Sequence, residues 1–248
     1  MKVVITVGAP SDLAKVAPVM HAIDLHNLSI LGLSTEHRDD GSADVIQAVL
    51  VHTGQQSEVA SDVRPEDVKL PKPDVLLGVG CGTHAAQTGE IIKRFEEVLL
   101  CERPDAVVIV GYVDSALACA LVSAKISFDG SGARPLVAHV GAGLRSFDRS
   151  RPEEINRTLT DHMSDVLFVT DDAARTNLLR EGIPDERIHL AGDTSGEARL
   201  VAAKRIVDTL IRSGKARQVF QARSSTPHEE PALGRRKPAA AHQPGNDR

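Results

Sequence analysis

Apolar positions at the start of the chain follow two different periods. Residues 2–7, KVVITV, form a nearly unbroken apolar and β-branched run, which predicts a buried strand. Turn-forming residues interrupt the run from Gly8, and apolar positions then recur at helical spacing over residues 12–23. The first two dozen residues are therefore predicted to form a strand, a turn and a helix.

The same alternation recurs along the chain. Further strands are predicted at residues 49–52, 106–110, 136–140, 166–169 and 187–191, and helices at 83–101, 113–125, 152–163 and 171–181. Strands that read as continuous apolar runs and alternate with helices indicate a parallel sheet covered on both faces. The predicted fold is α/β, a Rossmann-like doubly wound parallel sheet, in which ligands bind at the carboxyl ends of the strands.

Two segments depart from this pattern. Residues 26–42 are charged, contain glycine and exceed the usual length of a helix-to-strand connection, so we expect a surface loop there. Residues 213–248 are rich in Pro, Ala, Arg and Lys and contain almost no large apolar residue after Phe220. Because such a segment cannot offset its own ordering entropy, we predict a disordered tail.

Composition narrows the class of protein. A length of 248 residues with 42% hydrophobic residues predicts one complete domain, and a net charge of −5 disfavours nucleic acid or an anionic membrane as the main partner. No leader pattern is visible, and no apolar run approaches the ~20 residues that a bilayer requires, so we expect a cytoplasmic protein. Cys81, Cys101 and Cys119 lack metal-ligand spacing and are predicted to be free, buried thiols.

Candidate binding residues follow the predicted strands. The turn that begins at Gly8 leads into a helix carrying Lys15, so it either binds an anion or contains small residues for steric reasons alone. The stretch 80–83, Gly-Cys-Gly-Thr, similarly allows a ligand to approach the backbone. After residues 106–110, Asp114 or Ser115 either takes part in binding or caps the next helix, and capping is favoured.

The segment 139–157, HVGAGLRSFDRSRPEEINR, combines two adjacent glutamates with four arginines. Pro152 suits the first helical position, and the helix N-terminus stabilises Glu153 and Glu154 by about 0.3–1 kcal/mol, which is the purely structural interpretation. Alternatively, the arginines bind phosphate, and a carboxylate beside a sugar ring performs acid–base chemistry. The residue types alone leave both interpretations open.

Five motifs follow one another in a distinctive order. They are HTGQ at 52–55, LPKPD at 70–74, GVGCGTHAAQTG at 78–89, RPDAVVIVGYVDSALA at 103–118 and HVGAGLRSFDRSRPEEINRTLTDHMSDVLF at 139–168. Together they resemble the non-hydrolysing UDP-N-acetylglucosamine 2-epimerase family over about residues 1–200. The last motif is long and highly specific.

This resemblance implies that residues 1–194 form the Rossmann-like N-terminal domain of a two-domain glycosyltransferase-B architecture. Residues 195–212 would be a helix leading into a second domain, which we expect to be missing. The family inverts C2 of the sugar in UDP-N-acetylglucosamine by eliminating UDP to a glycal and adding it back from the other face. The resemblance implies a nucleotide-sugar ligand, no cofactor or metal, a role in polysaccharide biosynthesis, and a homodimer as one option.

Matched position by position, the resemblance is incomplete. Glu153 is retained as the catalytic carboxylate, but the family's two other acids correspond to Tyr112 and Gly141. The arginine of the family's opening Gly-Thr-Arg-Pro-Glu motif is also absent from the turn at residues 8–12. The residues implied in substrate binding are Lys15, Gln55, Thr83, Asp114, Arg145, Asn156 and Arg157.

Three functional interpretations follow. The first is an epimerase that is impaired or inactive as this chain alone. The second is a non-catalytic nucleotide-sugar-binding or dimerisation module, or a degenerate remnant of the family. The third, a glycosyltransferase half that shares only the architecture, is disfavoured by the motifs. Because loss of one acid–base group costs about 10²–10⁴ in rate, we expect little unaided turnover.

Overall fold

A parallel sheet forms the centre of the molecule. The computed structural model describes residues 1–33, 45–54, 71–130 and 132–224. The strands in these ranges are β1 (Lys2–Val7), β2 (Gln47–His52), β3 (Val75–Leu76), β4 (Ala106–Val110), β5 (Leu136–Ala142), β6 (Val166–Val169) and β7 (Ile188–Leu190). The helices are α1 (Pro10–Leu33), α2 (His84–Glu102), α3 (Asp114–Lys125), α4 (Pro152–Met163), α5 (Asp172–Arg180) and α6 (Arg199–Ser224).

The strands pair in parallel in the order β3-β2-β1-β4-β5-β6-β7. The chain therefore moves outward from β1 on one side and from β4 on the other, which creates a crevice at the carboxyl ends of these two strands. The predicted Rossmann-like, doubly wound α/β fold is confirmed.

Both faces of the sheet are covered by helices, and β1 shows why its sequence is apolar throughout. Val3 and Ile5 pack in one core with Ile206 of α6, whereas Val4 packs in a second core with Phe95 of α2. Successive strand side chains point to opposite faces, so a strand between two helical layers needs apolar residues at both alternating positions.

Most predicted elements agree with the structure to within two residues, but α1 is much longer than predicted. It runs to Leu33, so the predicted surface loop is wrong over residues 26–33, while residues 34–44 lie outside the described ranges. The helix is fixed near this end by Asn27, whose side-chain amide donates to the carbonyl and accepts from the N–H of Ile46, each at 2.8 Å. It also packs against α6.

Helix α6 corrects the predicted boundary at the other end of the chain. It begins at Arg199 and continues to Ser224, so residues 213–224 are helical and do not belong to a disordered tail. Five of its apolar side chains are buried. They are Ala202, Ala203, Ile206, Val207 and Leu210. The rest of the predicted tail, residues 225–248, lies outside the described ranges.

Of the three predicted buried thiols, only Cys119 is buried, and burial raises the pKa of its thiol. Cys81 and Cys101 are exposed, which contradicts the prediction for them. Within the described ranges, no helix has both the length and the apolar character needed to cross a membrane.

Candidate functional site

A cavity of about 430 Å³ opens at the carboxyl edge of the sheet. Its volume lies within the roughly 300–1,000 Å³ that is common for small-molecule sites. Lys15 of α1 contributes to the wall, and the other lining residues end or follow β4, β5, β6 and β7. The wall consists of Lys15, Gly111, Tyr112, Val140, Gly141, Leu144, Thr170, Asp171, Gly192, Asp193, Thr194 and Ser195.

Asp12 organises the turn after β1. Its buried carboxylate accepts hydrogen bonds from the backbone N–H of Ala9 and from the ammonium group of Lys15, both at 3.2 Å. A Cβ atom on Gly111 would lie 2.5 Å from this carboxylate, and Gly111 has a φ of +91°. Only glycine fits at the end of β4, and the turn directs Lys15 to the cavity.

Tyr112 lies between two cations at the cavity wall. The Lys15 ammonium is 5.6 Å from the centre of the Tyr112 ring, and the Arg157 guanidinium carbon is 4.1 Å from it. Both distances allow cation–π attraction. At the position where the resemblance expects a carboxylate, this chain therefore has an aromatic ring that holds two positive groups.

Gly141 lines the same cavity without contributing an ionisable group. Its φ is +85°, and a Cβ atom built on it would meet no other atom within 4 Å. A larger side chain has room here, although the backbone conformation strains any residue other than glycine. The second expected acid is therefore absent for a reason other than steric crowding.

Glu154 pins the loop that precedes α4. Its carboxylate accepts from the backbone N–H groups of Ser146 and Phe147, each at 2.9 Å, and from the Ser146 hydroxyl and the Arg157 guanidinium. Burial acts to raise the pKa of Glu154, but these donors outweigh it and lower that pKa. The second glutamate of the pair is therefore a structural residue. Together with Arg145 and Asp161 it forms a group of buried charged residues that we call the rim.

Arg145 also belongs to the rim, and its side chain is buried and does not line the cavity. Its guanidinium lies 2.7 Å from Asp161 and makes two 2.7 Å contacts with Glu181. Asp161 also accepts from the Gly143 N–H at 3.0 Å and lies 2.6 Å from His139 Nδ1. Burial acts to raise the pKa of Asp161, but His139 and Arg145 outweigh it and lower that pKa. The Arg145 guanidinium is therefore held by two carboxylates of the protein itself.

A second cluster joins the first turns of α2, α3 and α4. One oxygen of Asp114 lies 2.6 Å from His84 Nδ1, and the other accepts from the Asn156 amide at 3.0 Å. The N-terminus of α3 has no side-chain cap, so the favoured capping role of Asp114 is wrong. The hydrogen bond to Asp114 and the charge of Asp114 raise the pKa of His84, and partly exposed Glu153 adds to this effect.

The remaining predicted site residues lie apart from the cavity or outside the described ranges. Thr83 caps α2, because its hydroxyl accepts from the Ala86 N–H at 3.3 Å. Gln55 lies outside the described residues. Thus Lys15 lines the cavity, and Arg157 reaches its edge through Tyr112. The other predicted residues within the described ranges cap a helix, are buried or belong to the second cluster.

Sequence reasoning missed the wall that follows β7. Asp193 accepts from the hydroxyl and the N–H of Ser195, at 2.6 and 2.8 Å, and these bonds lower the pKa of Asp193. As at the other strand ends, a glycine and small polar residues directly follow the predicted strand. This pattern could have identified the wall from the sequence. His84 was also missed, because its partner Asp114 is 30 residues away in the sequence.

Among the residues that the structure describes, no group of three or more His, Cys, Asp or Glu side chains could hold a metal ion.

Comparison with known proteins connects this site to a family. The chain matches the family model described as UDP-N-acetylglucosamine 2-epimerase over residues 41–226. It is 40% identical over 201 residues to a UDP-N-acetylglucosamine 2-epimerase of Methanocaldococcus jannaschii, which covers 81% of this chain and 48% of that protein. The chain spans about half the length of the curated relatives it matches.

Solved structures agree with the sequence match. A crystal structure of the M. jannaschii UDP-GlcNAc 2-epimerase in complex with UDP-GlcNAc and UDP aligns with a TM-score of 0.63 at 40% identity, covering 78% of this chain and 47% of that one. The Neisseria meningitidis UDP-GlcNAc 2-epimerase bound to UDP-GlcNAc gives 0.63 at 26% identity, covering 89% and 54%. A lipopolysaccharide outer core galactosyltransferase, at 0.51 and 13% identity, shares the fold alone. The chain therefore belongs to the UDP-N-acetylglucosamine 2-epimerase family.

Proposed function

We propose that the chain binds a UDP-linked N-acetylhexosamine at the carboxyl edge of its sheet and supplies part of a C2 epimerase site. We further propose that it does not complete the reaction alone. One contrast carries this proposal. Glu153 is partly exposed, and no described residue hydrogen-bonds its carboxylate, whereas Tyr112 and Gly141 bring no carboxylate to the cavity.

The ligand class is supported by the charges around the cavity. Lys15 and Arg157 flank Tyr112, and cations in this arrangement suit a diphosphate. The two epimerases compared above were solved with UDP-GlcNAc, one of them also with UDP. A nucleotide sugar places a diphosphate next to a sugar ring, and Glu153 lies one helical turn before Arg157 on α4.

The proposed chemistry explains why one carboxylate is insufficient. The hydrogen at C2 of an acetamido sugar is poorly acidic, so inversion proceeds by loss of UDP across C1 and C2 and its return to the other face. One group must remove the C2 proton, another must return it, and cations must hold the departing diphosphate. Glu153 supplies one proton-transfer group, and Lys15 and Arg157 supply cations.

The same contrast favours a second candidate, a non-catalytic nucleotide-sugar-binding or dimerisation module of the same family. This candidate shares the ligand but lacks the reaction. In both cases the proposal includes a homodimer and a cytoplasmic location.

Calorimetric titration with UDP-N-acetylglucosamine tests the binding part of the proposal. We expect measurable affinity that falls about tenfold or more in Lys15→Ala, because a hydrogen bond to a charged group contributes about 1.5–3 kcal/mol. Lys204→Ala is the matched control, since Lys204 is exposed on α6 and pairs with Asp208. Absence of binding at millimolar ligand, or equal loss in both variants, would contradict the proposal.

A further inference from the structure

We infer that His84 is a ligand-facing acid–base group of the nucleotide-sugar site and that Asp114 positions it. The inference rests on the proposed function, because it names a further proton-transfer residue for that site. His84 is the first residue of α2 and lies outside the cavity wall described above.

The contacts around Asp114 orient the imidazole of His84. One carboxylate oxygen is 2.6 Å from His84 Nδ1, and the other accepts from Asn156 at 3.0 Å, so both oxygens are fixed. The Asp114 side chain is 9% exposed, whereas that of His84 is 70% exposed. A buried, doubly held carboxylate behind an exposed ring is the arrangement that leaves Nε2 open to a ligand.

The position of this pair borders the cavity. Asp114 follows the cavity-lining Tyr112 by two residues, and Asn156 directly precedes Arg157, whose guanidinium lies over the Tyr112 ring. The first turns of α2, α3 and α4 therefore meet beside the Tyr112 end of the cavity. Arg157, one of the two cations proposed to hold the diphosphate, therefore borders this junction.

The charges that face His84 suit reversible proton exchange. Asp114 faces it from α3 and Glu153 from α4, and both are acidic. They favour the protonated imidazole and raise the pKa of His84 above its ordinary value. His84 therefore lies on the same side of the site as Glu153, so the two residues do not place acid–base groups on opposite faces of the sugar ring.

His84 acts as the base when UDP is eliminated across C1 and C2. As the C2–H bond breaks, the proton moves to Nε2 of neutral His84 and its electron pair forms the C1–C2 double bond. The C1–O bond breaks at the same time, and its electron pair leaves with the diphosphate. In the reverse step His84 returns the proton to the face of C2 from which it came, and the diphosphate oxygen re-forms the bond to C1, so His84 exchanges the C2 hydrogen but does not by itself invert C2. Asp114 stabilises the imidazolium between these steps.

Two measurements on the full chain test this inference. The titration of the His84 Cε1–H, followed by proton NMR with and without saturating UDP-N-acetylglucosamine, should show a midpoint that moves when the ligand binds. At pH 7, His84→Gln should weaken the affinity about 2–10-fold, as loss of one neutral hydrogen bond predicts. His21→Gln is the matched control, because His21 is an exposed imidazole on α1.

Asp114→Asn separates an acid–base role from a simple clamp between helices. It should lower the midpoint of the His84 titration in the free protein and reduce the change that the ligand causes. If the ligand binds while the His84 midpoint stays fixed and His84→Gln keeps full affinity, the inference is wrong and the proposed function survives. If wild-type protein binds no UDP-N-acetylglucosamine, the proposed function fails and the inference fails with it.

Discussion

The rim and the cluster at the starts of α2, α3 and α4 differ in the burial of their charged residues. In the rim, Arg145, Glu154 and Asp161 are buried, and each charge is met by a partner within the protein. In the cluster, Asp114 is buried, but Glu153 and His84 reach solvent. Burial thus separates the residues that hold the scaffold from those available to a ligand.

This difference changes what the long motif at residues 139–168 means. Four of its residues have structural partners in this chain, namely His139, Arg145, Glu154 and Asp161. A motif of this kind specifies the fold of the rim as strongly as it specifies a reaction. It is therefore compatible with a chain in which Tyr112 and Gly141 replace acids.

The largest predicted effect belongs to the rim. Asp161→Asn leaves the buried Arg145 without one of its two carboxylates and should lower the free energy of unfolding by about 3–5 kcal/mol. Urea denaturation at pH 7 measures this change. Asp185→Asn is the control, because its ion pair with Arg175 is exposed and should contribute little. Similar losses in both variants would contradict the distinction between buried and exposed charges.

Gly111→Ala should have the next largest effect, about 2–4 kcal/mol, because it adds a steric clash to backbone strain. Its Cβ atom would meet the Asp12 carboxylate, whereas Gly182 has a similar positive φ and no atom within 4 Å. Thermal and urea unfolding of Gly182→Ala therefore measure the strain alone. If the two variants lose equal stability, Asp12 does not constrain the strand end.

Glu154→Gln should cost about 1.5–3 kcal/mol at neutral pH, since charged hydrogen bonds to the loop are lost. The folded-state pKa of Glu154 is lowered, so its stabilisation is present above the unfolded pKa of about 4.3 and is lost as pH falls through the folded pKa. The stability difference between wild type and variant should be constant from about pH 6 to 8. It should shrink in acid, and a difference that grows in acid would reverse the assigned sign.

Glu153→Gln should have the smallest effect on stability, within about 0.5 kcal/mol, although it changes the neighbouring residue of the same helix. No described residue hydrogen-bonds its carboxylate. Paired urea curves for Glu153→Gln and Glu154→Gln make the comparison directly. Equal losses would show that Glu153 also belongs to the scaffold, and the proposed chemistry would lose its carboxylate.

The sequence predicted those elements whose apolar pattern is set locally. β4, α4 and β6 have their predicted bounds because a continuous apolar run or a proline at the first helical position marks each one. The far ends of α1 and α6 were missed because these helices stabilise each other across most of the chain length. β3 has two residues, which is too short to show a period.

The candidate site follows the same division. Lys15 and Tyr112 follow predicted strands, and both line the cavity, because the position of a strand end depends only on the order of elements. The partners of Asp114 could not be predicted, because His84 and Asn156 lie 30 and 42 residues away in sequence. Arg145 was predicted to bind substrate, but its side chain is buried against Asp161 and Glu181. Glu181 lies 36 residues away in sequence, so this contact could not be predicted either.

The central claim is that this chain binds a nucleotide sugar but lacks the groups to invert it. Proton NMR of UDP-N-acetylglucosamine mixed with the purified protein tests both parts at once, through saturation transfer to the ligand and through the anomeric signal of any new sugar. We predict saturation transfer that competes with added UDP, and no mannosamine epimer after prolonged incubation. Sustained formation of that epimer by wild-type protein, absent in Glu153→Gln, would contradict the claim.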